Sequence, residues 1–118
     1  MSHRYFTFEE LKCPDCGASG MDPDFMFRLD TARGVSGVPY VVNSAFRCED
    51  HNKEVGGSDT SSHLLGLAMD IKAPDSSARF QILRGLLKAG FTRLGVAEDF
   101  IHVDADPAKP TDLVWVYS

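Results

Sequence analysis

Apolar and polar residues fall into short blocks along this chain, and the spacing changes from block to block. Met1–Gly20 shows neither a helical nor a strand period and reads as an extended arm with a turn. The turn is Cys13-Pro14-Asp15-Cys16-Gly17, in which Pro and Gly bracket an Asp. Helical spacing begins at Asp22-Pro23-Asp24. Asp22 suits the N-cap and Pro23 the first helical position. Phe25, Leu29 and Ala32 then recur on one face, and Gly34 is the expected stop.

Val38–Val42 is apolar enough for a short strand, which Asn43–Arg47 leaves. A helical turn is expected over Glu49–Val55, ended by Gly56-Gly57, and Ser58–Ser62 is a small polar loop. Leu64–Ile71 reads as a buried strand. Asp75 or Ser76 caps a helix with Phe80, Leu83 and Leu87 on one face and its end at Gly90. Arg93–Ala97 and Phe100–Val103 form a pair of strands around the polar turn Glu98-Asp99, and Leu113–Tyr117 is a last strand. Few segments suit long parallel crossovers. The pattern therefore predicts an α+β fold, with a small, mostly antiparallel sheet and flanking helices.

The 118 residues suit one domain spanning 1–118, and no internal repeat suggests more. The net charge is −5 and no basic run interrupts it, which argues against gripping nucleic acid through phosphates. Met1–Phe8 has no apolar core of a signal peptide, and no stretch approaches a membrane span. The expectation is synthesis in the cytoplasm and no membrane insertion, so that action outside would need a separate release step. Nothing sets an oligomeric state, and a monomer is the default expectation.

Chemistry enters where polar residues sit in apolar surroundings. Asp70 interrupts the run Leu67-Ala68-Met69-Asp70-Ile71, a costly place for a carboxylate without a partner. His63 precedes that run. His102 lies in Phe100-Ile101-His102-Val103-Asp104, where alternation points it away from Ile101 and Val103. Two imidazoles and a carboxylate are a ligand set for catalytic zinc, leaving a fourth position open. Spacing alone leaves other readings open: a strand histidine is more often packed than ligating, and Asp70 could be half of an ion pair. The HExxH helix motif is absent.

Ser61-Ser62-His63-Leu64-Leu65-Gly66-Leu67-Ala68-Met69-Asp70 resembles the SxHxxGxAxD signature of zinc D-alanyl-D-alanine carboxypeptidases and related phage endolysins. Phe100–Asp104 resembles that family's second metal motif, and Asn43-Ser44-Ala45-Phe46-Arg47 its upstream segment ending in a substrate-binding arginine. Val55-Gly56-Gly57-Ser58 fits a local pattern of the same family, and the likeness runs from about Phe6 to Tyr117. The resemblance implies a hedgehog/DD-peptidase-like fold and zinc-dependent hydrolysis of peptidoglycan stem peptides. It also implies a place among phage or prophage enzymes that act on the cell wall. It makes His63, Asp70 and His102 the zinc ligands. The carboxylate three residues before the last histidine, Asp99, becomes the general base, with Glu98 as second choice. Arg47 would grip a substrate carboxylate or a developing oxyanion, Ser61 would contact substrate or shape its loop, and Asp104 would orient His102.

The cysteines pose a separate question. Their number is odd, which does not suit a fully paired disulfide scaffold. Cys13-x-x-Cys16 with Cys48-x-x-His51 has the ligand types and spacing of a structural zinc site. Free thiols, or a Cys13–Cys48 disulfide, are the alternatives.

Serine hydrolase chemistry lacks its nucleophile elbow here, and nothing in the sequence joins Cys13 or Cys16 to a histidine as a cysteine peptidase requires. The serious rival is a catalytically inactive, metal-stabilised module that binds the cell wall or serves in a phage particle.

Overall fold

The computed structural model describes residues 6–58 and 60–117. The first five residues of the expected arm, Asp59 of the polar loop, and Ser118 lie outside the described residues. In chain order the elements are α1 (Phe8–Leu11), α2 (Pro23–Ser36), β1 (Val42–Ser44), α3 (Glu49–Glu54), a 3₁₀ turn (Ser62–Leu65) and β2 (Ala68–Lys72). Then come α4 (Ser76–Lys88), β3 (Arg93–Val96), β4 (Phe100–Asp104) and β5 (Leu113–Val116). The strands form one sheet in the order β1-β2-β4-β3-β5. Every pairing is antiparallel except β3 with β5. The chain is thus α+β with a mostly antiparallel sheet and flanking helices.

Alternation divides the sheet into two faces. Met69 and Ile71 of β2, Leu94 of β3, and Ile101 and Val103 of β4 face the helices. They pack with Phe25, Met26, Leu29 and Ala32 of α2 and with Ile82 and Leu86 of α4 into one buried cluster. The intervening positions belong to the other face. The register sets Ser44, Asp70, His102, Gly95 and Trp115 side by side in a single row across all five strands. Two residues about 32 apart in sequence thereby become cross-strand neighbours, at the separation of directly paired side chains.

The helix ends follow the expected chemistry at α2. The Asp22 side chain accepts the Phe25 N–H, and Pro23 opens the helix. Gly34, however, does not stop it. The helix runs on to Ser36 and ends at Gly37, whose φ of 71° closes the last turn.

Four further expectations shift. The arm is not wholly extended, since Phe8–Leu11 forms a helical turn in which the Thr7 hydroxyl and the Glu10 carboxylate cap each other's backbone. The strand expected at 38–42 begins only at Val42, because Pro39 has no N–H for a ladder and Tyr40 turns into the core. The front half of the expected strand 64–71 is the 3₁₀ turn. Ser61 caps that turn and Gly66 ends it at φ 71°, where an added Cβ would strike the Gly20 carbonyl. Finally, α4 buries Ile82, Gly85 and Leu86, while Phe80 is 63% and Leu87 56% exposed. Two apolar stripes competed there. Gly85 decided between them, since only a residue without Cβ lets the Ala32 carbonyl and Ser36 of α2 come so close.

Candidate metal centre

His63, Asp70 and His102 offer donor atoms that all lie within 4.8 Å of one another. Each arrives on a different device. Asp70 stands on β2 and His102 opposite it on β4. His63 sits in the 3₁₀ turn, where the Ser61 hydroxyl accepts its backbone N–H at 3.3 Å. His63 is buried, and Asp70 and His102 are half-buried.

The ring nitrogens are already sorted by their partners. His63 Nδ1 is 2.7 Å from the Ala45 carbonyl, so that nitrogen donates, and Nε2 faces Asp70 Oδ2 at 3.4 Å. His102 Nε2 is 2.8 Å from Asp104 Oδ2, and Nδ1 faces Asp70 Oδ1 at 2.8 Å. Asp104 is itself held by Arg93 Nε at 2.6 Å. Each imidazole therefore has one nitrogen fixed by an outer acceptor and the other turned toward the shared centre, as metal-ligating histidines do. This donor set fits zinc: His63 Nε2, His102 Nδ1 and the Asp70 carboxylate would hold it, with room for a fourth ligand.

Electrostatics point the same way. Burial alone would raise the Asp70 carboxyl, but hydrogen bonds from His102 and His63 and their charge hold it well below the usual carboxylate range. Burial would lower His102, yet its bonds to Asp104 and Asp70 raise it above the ordinary imidazole value. Asp104 is in turn held below its ordinary value, since His102 and Arg93 outweigh its burial.

The centre forms the floor of an open cleft of about 480 Å³. Arg47 flanks it, with Nη2 at 3.7 Å from Asp70 Oδ2. Its guanidinium donates to Ser44 Oγ at 3.1 Å and to Asn52 Oδ1 at 3.3 Å, while Asn52 Nδ2 donates to the Ser58 carbonyl. Sequence reasoning found Arg47 but missed Ser44 and Asn52. The missed signal is Asn52 itself, a polar residue 2% exposed on a six-residue helix. Trp115 and Tyr117 form the opposite wall, and Lys109 reaches in with Nζ on the Thr60 carbonyl and Ser62 Oγ. Ser61 lines the cleft, and its hydroxyl is also the cap that holds His63.

Asp99 and Glu98 are not brought in. Both are exposed on the β3–β4 turn, outside the cleft lining. The reason is register: His102 sits two positions inside β4, so the turn lies beyond Phe100, which occupies the nearer edge of the cleft. Asp70 and Asp104 are the carboxylates that do line the cleft among the described residues. The cysteines gather elsewhere, with Cys13, Cys16 and Cys48 within 4.8 Å of one another and His51 outside that grouping.

With this geometry in place, the family model described as Peptidase M15 matches residues 4–104. The chain belongs to the peptidase M15 family. No curated protein sequence matches the chain. M15 peptidases are zinc-dependent, which agrees with the donor set on β2, β4 and the 3₁₀ turn. The match covers all three donors and Arg47 but ends before β5, so the aromatic wall of this M15 cleft lies beyond the matched segment. No helix among the described residues is long and apolar enough to cross a membrane.

That aromatic wall depends on Gly95, the β3 neighbour of both His102 and Trp115. A Cβ there would collide with the Trp115 and Tyr117 rings. Gly95→Val is expected to lift both rings and destabilise the domain by about 1–3 kcal/mol through overpacking. Trp115 is the chain's only tryptophan, so its emission reports the change directly. An unshifted spectrum and unchanged denaturation midpoint would show that the rings do not rest on Gly95.

Proposed function

We propose that this chain hydrolyses peptide bonds in peptidoglycan stem peptides, as a D-Ala-D-Ala carboxypeptidase or an endolysin-type endopeptidase, with zinc held by His63, Asp70 and His102. One observation carries the reading. The three donors converge on the floor of a cleft, with the fork of Arg47 beside them, rather than being sealed in the core. A purely structural zinc site is normally closed.

When bound, zinc supplies Lewis acidity, polarising a carbonyl and acidifying water. The chain's residues supply the rest. Arg47, fixed by Ser44 and Asn52, presents a planar pair of donors to a substrate carboxylate or to negative charge developing on the carbonyl oxygen. Lys109 lines the cleft but is paired with Asp106 at 3.5 Å, and Arg93 is committed to Asp104, which leaves Arg47 as the cation turned toward a substrate. Trp115 and Tyr117 offer an apolar wall for small side chains and exclude water from one side. Short stem peptides that carry free carboxylates match this combination.

The proton acceptor is the part the cleft lining does not supply ready-made, because Asp70 and Asp104 are both committed to imidazoles. Asp99 is proposed for this role, acting through a water or after its turn folds over bound substrate. Asp99→Asn is then expected to lower kcat about 100-fold at unchanged zinc content. The exposed position of Asp99 and Glu98 favours a second reading, a metal-stabilised wall-binding module without turnover. Incubating the zinc-loaded chain with purified peptidoglycan, followed by mass spectrometry of the soluble muropeptides, separates the two. New peptide termini of one defined type are expected. Binding to the wall with no cleavage product would establish the binding module.

A further inference from the structure

Three thiols from two separate segments meet beside the segment that carries Arg47. The Cys13 and Cys48 sulfurs are 3.6 Å apart, a non-bonded contact, and Cys16 completes the cluster. The turn that brings Cys13 and Cys16 together is built for the purpose. Gly17 takes φ 74°, its N–H returns to the Cys13 carbonyl at 2.8 Å, and the Cys13 N–H reaches the Ala18 carbonyl at 2.8 Å.

Cys48 also stands at the N-cap of α3, yet its side chain makes no capping hydrogen bond. His51, three residues on, has a buried Nδ1 without a hydrogen-bond partner, the Glu54 carboxylate lying 3.9 Å away. A buried ring nitrogen left in this condition asks for an occupant.

We propose that Cys13, Cys16 and Cys48 bind a second, structural zinc ion, with His51 turning in as the fourth ligand. Three thiolates and an imidazole form a closed, soft donor set suited to tetrahedral zinc. A disulfide would use two sulfurs and leave the third thiol beside them unused. The ion ties the arm after α1 to the start of α3, and so braces Arg47, which precedes Cys48, and Asn52, which holds its guanidinium. In a domain of this size such a staple is a substantial part of folding stability.

The proposal is independent of the peptidase reading, and its test is made on metal, not turnover. In a His63→Ala/His102→Ala chain, elemental analysis is expected to give about one zinc per chain, against about two in the parent. Replacing that zinc with cobalt should produce sulfur-to-cobalt charge-transfer absorption. Cys16→Ser, at the exposed member of the cluster, should remove both the ion and the band. No zinc and no charge-transfer band in the double-histidine variant would overturn the site. So would native alkylation that labels Cys16 alone while Cys13 and Cys48 are disulfide-linked. An unchanged cobalt spectrum in His51→Ala would remove His51 from the ligand set.

Discussion

Asp70→Asn is expected to empty the catalytic centre of zinc and to lower turnover of peptidoglycan peptides by about 1000-fold or more, ~4 kcal/mol in the barrier. The substitution keeps the shape of the side chain and removes only its charge and one oxygen. Asp70 is the member that touches all the others. It faces His102 Nδ1 at 2.8 Å, His63 Nε2 at 3.4 Å and Arg47 Nη2 at 3.7 Å. A neutral amide in its place weakens metal attraction and leaves Arg47 without its anionic neighbour. The β2 position lies within the core register, with Met69 and Ile71 packing on either side, so folding is expected to persist. Circular dichroism with zinc analysis checks both halves. A folded variant that retains zinc and turnover would show that Asp70 is a structural ion-pair partner.

Arg47→Lys is expected to lower kcat/KM by about 100-fold while zinc content stays at the parent value. A lysine keeps the charge and loses the fork. Its single ammonium cannot reach Ser44 Oγ, Asn52 Oδ1 and a substrate carboxylate together, as the guanidinium can. If Arg47 serves the oxyanion, the loss falls on kcat; if it binds a ground-state carboxylate, KM carries it. Steady-state kinetics on a defined stem peptide reads the split. Unchanged kinetics would make Arg47 a brace for Asp70 and nothing more.

Much of this centre was legible before any coordinates. Asp70 and His102 announced themselves by interrupting apolar strands, because a buried charge needs a reason. Strand alternation alone put His102 and Asp104 on one face, and the Nε2–Oδ2 contact at 2.8 Å realises it. The cross-strand register was not legible. Nothing local says that Asp70 pairs with His102, or that Gly95 must stay bare to admit Trp115 and Tyr117. The face of α4 was misread for the same reason, since the choice between two helical stripes rests on the approach of α2 at Gly85. The placement of Asp99 was not legible either: its spacing of three residues from His102 does not say that the strand end and turn set it outside the cleft lining. Local chemistry is written in short segments, whereas which segments meet is decided by packing across the whole sheet.

The central claim is that two imidazoles and one carboxylate share a single zinc ion. X-ray diffraction from zinc-loaded crystals, recorded on both sides of the zinc absorption edge, tests it most directly. The account predicts an anomalous peak enclosed by His63 Nε2, Asp70 and His102 Nδ1, lost in Asp70→Asn. A fully active, zinc-loaded protein with no anomalous density among these three side chains would contradict it.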